Sequence, residues 1–142
     1  MPIFTCTGTR HKDLWLVDDS PAFGLFPGGI IQEVVADTPI HLYVGTPAYG
    51  ETHISVKHAH WLSRLGQSTP ELVYKKLGQT GQIYCTETDR KLKISLRITP
   101  EALIVLTLIR PHGAAPHFSV TTIYSHPQRL DGRALGRYKG RN

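Results

Sequence analysis

The feature that most constrains the fold is a series of four strand-sized runs in the second half of the chain: residues 82–87 (QIYCTE), 91–99 (KLKISLRIT), 102–110 (ALIVLTLIR) and 117–125 (HFSVTTIYS). The pieces between them, TDR, PE and PHGAAP, are turn-sized, which predicts an antiparallel meander. Alternation sorts the faces. In the second run Leu92, Ile94, Leu96 and Ile98 share one side, and Lys93, Ser95, Arg97 and Thr99 the other. In the last run Phe118, Val120, Thr122 and Tyr124 fall together, opposite His117, Ser119, Thr121 and Ser125. With the apolar sides on the core, Lys93, Ser95, Arg97, His117, Ser119 and Thr121 form an open surface of donors and cations.

Two helices are expected ahead of this sheet. Residues 52–65 (THISVKHAHWLSRL) repeat apolar side chains at helical spacing, and Thr69 as cap with Pro70 at the first position opens a second helix, ELVYKKL, that stops at Gly78. Before Gly50 the chain is punctuated: residues 18–29 (DDSPAFGLFPGG) break regular structure, and residues 40–45 (IHLYVG) read as one short strand. A length of 142 residues suits one domain. The expectation is therefore an α+β fold, with two short N-terminal helices packed on a four-stranded antiparallel sheet and an irregular extension holding one or two strands. Residues 1–49 form the irregular part, 50–138 the core, and 127–142 a tail rich in Arg, Lys and Gly, either solvated or an arm that holds phosphate by charge.

Sixteen Lys and Arg against eleven Asp and Glu give a net charge of +5, which favours polyanionic partners. A helical projection of residues 52–65 sets Ile54, Trp61, Leu62 and Leu65 on an apolar arc that includes His58, and His53, Lys57, His60 and Arg64 on a basic stripe beside it. Cleaving RNA without a metal requires a base for the 2′-hydroxyl, donors for the phosphorane and an acid for the 5′-oxygen. Histidine serves at either end, and Arg grips phosphate with two bonds. Each residue also has a plain structural role to weigh: His58 as a core histidine, Lys57 and Arg64 as a solvated stripe, Arg97 paired with Glu87 or Glu101, and Thr122 and Tyr124 as good strand formers. No carboxylate or cysteine completes a zinc set around the histidines, and GxSxG, P-loop and dinucleotide motifs are missing. No metal and no cofactor is expected. The two cysteines, Cys6 and Cys85, form no CxxC and suggest no disulfide scaffold.

The stretch GETHISVKHAHWL, the helix TPELVYKKL, and the strands IYCTET, LKISLRI, ALIVLTLI and FSVTTIY together resemble the barnase-, EndoU-, colicin- and RelE-like ribonucleases, in particular their phage-borne and polymorphic-toxin members. The likeness covers residues 50–138. It implies metal-independent cleavage of RNA, often tRNA. It also implies His53 or His58 as the helix histidine, Arg97 as a mid-sheet phosphate binder, and Thr122 with Tyr124 as last-strand site residues. Alternation sets Arg97 and the Thr122/Tyr124 pair on opposite faces, so either a bulge intervenes or Thr121 reaches the substrate.

The resulting expectation is an endoribonuclease toxin or toxin-like effector acting by 2′-hydroxyl transesterification. His53, His58, Arg97, Thr122 and Tyr124 would be catalytic, and Lys57, His60, Arg64, Lys93 and Thr121 would bind RNA. An acidic immunity or antitoxin protein is the partner implied by the resemblance. The alternative is a non-catalytic basic module, a phage-encoded inhibitor or regulator that binds nucleic acid or an acidic protein. No signal-like start or membrane-length apolar run is found in the sequence, so a cytoplasmic protein is expected, in its own cell or in a target cell after delivery.

Overall fold

A computed structural model describes residues 2–88, 91–98, 102–125 and 134–141. The punctuated first third is more regular than its Pro and Gly content predicts. Strands β1 (Phe4–Cys6) and β2 (Trp15–Val17) pair with each other, whereas β3 (Gly24–Phe26) and β4 (Thr38–His41) join the main sheet. Helices α1 (Gly50–Lys57), α2 (Ala59–Leu65) and α3 (Thr69–Leu77) follow. Then come β5 (Gly81–Thr88), β6 (Lys91–Ile98), β7 (Ala102–Ile109), β8 (His117–Tyr124) and β9 (Gly136–Tyr138).

Among the described residues the main sheet has seven strands in the order β3-β4-β8-β7-β6-β5-β9. Only β4 and β8 run parallel; the other pairs are antiparallel. The sheet curls into a nearly closed barrel. This corrects the expected fold of two helices on a four-stranded antiparallel sheet. β5 to β8 lie within a residue or two of their expected spans, but β3, β4 and β9 extend the sheet on both sides, and the described residues form three helices. β3 and β9 are three residues long, too short to display alternation, and β4 and β9 meet partners far away in sequence.

The extra helix arises because residues 52–65 do not form one rod. Thr52, Ile54, Ser55 and Val56 are weak helix formers, and the chain breaks at His58, with φ −113° and ψ 24°. His58 still donates to Ile54 O and accepts from Leu62 N, so the break costs few backbone bonds. The cap of α3 is Ser68, not Thr69: its hydroxyl accepts from Glu71 N (3.4 Å) and donates to the Glu71 carboxylate (3.0 Å). Leu72, Val73 and Leu77 of α3 enter a core with Phe23, Phe26, Ile40, Leu96, Ile104 and Ile123.

The basic tail is docked where it is described. β9 pairs with β5, and Tyr138 is fully buried, donating to Leu77 O (2.5 Å). A Cβ on Gly24 of β3 would lie 2.9 Å from the Tyr138 hydroxyl, so the two edge strands almost meet. Arg141 spans the remaining gap. Its guanidinium lies 3.6 Å over the Tyr74 ring and donates to Phe23 O (2.8 Å) and Tyr74 O. Residues 127–133 of the tail lie outside the described residues. Among the described residues no helix is long and apolar enough to cross a membrane.

Candidate active site

Register sets which side chains share a face, because residues opposed in a ladder point the same way. Leu96, Ile104 and Ile123 form one row, and Leu106 with Val120 and Leu108 with Phe118 continue it on the core side. Ser95, Val105 and Thr122 form a row on the other side, and Arg97, Leu103 and Tyr124 form the next. Thr107 opposite Ser119, and Ile109 opposite His117, extend that second face. Strict alternation would put Thr122 and Tyr124 with Val120, and it is corrected here. The register shifts between Val105 and Leu106, where Val105 meets Thr122 but Leu106 meets Val120. Thr121 is the extra residue of a β-bulge, and it turns the end of β8 over. Both Thr121, bonded to Thr107 (2.7 Å), and Thr122 therefore lie on the polar face with Arg97.

Helix α1 packs against β8 and supplies the histidine. Its start is prepared by two glycines in the left-handed region, Gly45 (φ 72°) and Gly50 (φ 78°). The first helical N–H groups, of Glu51 and Thr52, donate to Tyr43 O and Val44 O. The loop so folded places Pro47 O 2.7 Å from His53 Nδ1, while Nε2 lies 3.0 Å from Thr122 Oγ1. A carbonyl can only accept, so Nδ1 carries a proton, and Nε2 is the nitrogen left to face the Thr122 hydroxyl. Thr122 is only 5% exposed and His53 is half-buried. This is the geometry of an oriented base beside a hydroxyl.

His58, at the helix break, continues the cluster. Its ring centroid is 6.4 Å from that of His53 and 5.6 Å from that of Tyr124, edge-on to both, and Trp61 packs edge-on at 6.3 Å. Arg97 is exposed in the same cross-strand row as Tyr124, with the buried Leu103 between them. Side chains of Glu87 and Glu101, the carboxylates considered as Arg97 partners, lie outside the described residues, as does that of Lys93, whose backbone pairs with Thr107.

The structure therefore brings together His53, His58, Thr122 and Tyr124, with Arg97 and Thr121 on the same face. Lys57, His60 and Arg64 do not join them as one stripe. They are exposed, but the break at His58 divides Lys57 on α1 from His60 and Arg64 on α2. Three groups escaped the sequence reading: the Pro47 carbonyl, which has no side-chain signature, and His41 and Tyr43 from the segment IHLYVG. His41 stacks on His117 (centroids 4.3 Å, 22° between planes), and the Tyr43 hydroxyl lies 2.6 Å from His117 Nε2. The only available signal was the i, i+2 spacing of His41 and Tyr43, which places both on one side of an extended segment. Among the described residues no three His, Cys, Asp or Glu side chains converge as a metal-ligand set. No protein-family model matches the chain, and no curated protein or solved structure matches it either.

Proposed function

We propose that this chain is a metal-independent endoribonuclease in which His53 is the base, and that it acts as a toxin or toxin-like effector. The observation that carries the reading is the pair of contacts on the His53 ring: the Pro47 carbonyl fixes the tautomer, and Nε2 faces a hydroxyl on the polar sheet face. An RNA 2′-hydroxyl taking the place of Thr122 Oγ1 gives its proton to Nε2, and the 2′-oxygen attacks phosphorus. The bond from phosphorus to the 5′-oxygen breaks, and that oxygen leaves with a proton from the His58 and Tyr124 side of the cluster. A 2′,3′-cyclic phosphate remains. Thr122, released from His53, donates to a non-bridging oxygen, and Arg97 neutralises the phosphorane from across the sheet. The net charge of +5 supports a polyanionic substrate. The resemblance to barnase-, EndoU-, colicin- and RelE-like ribonucleases supports the same class, and by analogy with them an acidic neutralising partner.

The test is incubation with total RNA, tRNA included, in EDTA. Cleavage leaving 2′,3′-cyclic phosphate ends, lost in His53→Ala, is the expected result. Intact RNA, or cleavage that survives His53→Ala, His58→Ala and Arg97→Ala combined, overturns the proposal. Salt-sensitive binding without turnover would instead identify a binding module.

A further inference from the structure

About 15 Å along β8 from Thr122, the same sheet face carries a second cluster of flat rings that the proposed reaction leaves unused. His117 is its buried centre, 8% exposed, and His41 and Tyr43 flank it half-buried. His41 stacks on the His117 ring, and the Tyr43 hydroxyl bonds to its Nε2. Tyr49 packs edge-on to Tyr43. Nδ1 of His41 is buried with no hydrogen-bond partner among the described residues. Burial holds both imidazoles below the ordinary histidine range, His41 at about 4 with His117 adding to the effect. Both rings are thus uncharged at neutral pH. Uncharged flat rings are poor partners for phosphate and good ones for a base. Ser119 and the Thr107–Thr121 hydroxyl pair line the face between this cluster and His53.

We propose that His41, His117 and Tyr43 form a nucleobase subsite that takes one unpaired base of a single-stranded RNA whose scissile phosphate lies at His53 and Thr122. The inference rests on the ribonuclease reading for the place of that phosphate. Its distance along β8 assigns the base to a flanking nucleotide, not to the ribose under attack. A base already stacked in a duplex cannot reach the rings, so the substrate class is single-stranded or looped RNA. The rings supply stacking, while the Tyr43 hydroxyl, which can make a second hydrogen bond beside the one to His117, is a polar group able to meet the edge of the base.

The test uses fluorescently labelled 2′-O-methyl RNA octamers, which cannot undergo 2′-attack, with an abasic site moved along the strand and binding read by anisotropy. One abasic position is expected to weaken binding to the wild-type chain about tenfold. His41→Leu and Tyr43→Ala are expected to weaken binding of the intact strand to the same level and to be indifferent to that abasic site. His41→Phe, which keeps a flat ring, is expected to retain the sensitivity. Absence of binding, a uniform response at every position, or a positional loss that persists in His41→Leu and Tyr43→Ala overturns the subsite. The scan on the wild-type chain decides even if a variant fails to fold. Cleavage of unmodified RNA, measured separately, keeps the two readings apart: a chain that binds the octamer with positional loss but cuts nothing retains the subsite and loses the ribonuclease.

Discussion

His53 is held at both ring nitrogens, by a backbone carbonyl and by a threonine hydroxyl, so removing either partner changes a different property. His53→Ala is expected to lower the RNA cleavage rate by about 10²–10⁴-fold, the usual contribution of a positioned base. Thr122→Val keeps the shape but removes the donor, and is expected to lower turnover with little change in melting temperature. Rates from single-turnover assays alongside thermal melts check both. His41 yields a prediction for stability instead. Its folded-state value of about 4 lies below the ordinary 6.5, so between those values the unfolded chain binds a proton that the folded chain refuses. Stability is expected to fall as pH drops from about 6.5 to about 4 and to level off below that. Urea midpoints measured across this range in the wild type and in His41→Phe check it: the variant should show the smaller loss, and equal slopes would refute the assignment. In the sequence, His53, His58, Thr122 and Tyr124 were legible as candidates, and the fold brings them into one cluster. The partner that orients His53 was not, because a carbonyl belongs to every residue and only the loop fold selects Pro47.

At the scale of elements, the strands β5 to β8 were legible because alternation and turn residues agree over long runs. The faces of β8 were not legible from alternation, since a bulge leaves no mark in the order of residues; only the conflict between alternation and the resemblance raised it as an alternative. Thr121-Thr122 reads as two ordinary strand formers until pairing with β7 shows the shift. The single helix expected over residues 52–65 failed for the opposite reason. Its apolar spacing is helical, but a run of β-branched and short polar residues cannot hold one straight rod against the sheet, and His58 takes the break. The start of α1 depends on Gly50, where φ is 78° and a Cβ would lie 2.8 Å from Tyr43 O. Gly50→Ala is expected to destabilise the fold by about 2 kcal/mol. It should also reduce cleavage beyond what the stability loss explains, because the same loop carries Pro47. Chemical denaturation together with activity at a temperature well below the melt separates the two effects.

For the whole molecule, the barrel is held shut by contacts of the C-terminal segment with residues near the opposite edge of the sheet. Arg141 reaches the carbonyls of Phe23 and Tyr74 and covers the Tyr74 ring, and Tyr138 fills the space beside Gly24. Arg141→Ala is expected to cost about 1–2 kcal/mol, read as a lower melting temperature with the far-UV spectrum unchanged. Little of this was legible in a segment whose composition matches that of a solvated tail. Among the described strands β9 comes latest in the chain, so its partner β5 emerges from the ribosome well before it. While a ribosome still holds residues 136–141, the β5 edge lacks its neighbour and the interior behind Phe23 and Tyr74 lies open. Until residues 136–141 have emerged and docked, the barrel stays unsealed, so its closure is a step separate from the pairing of β5 to β8.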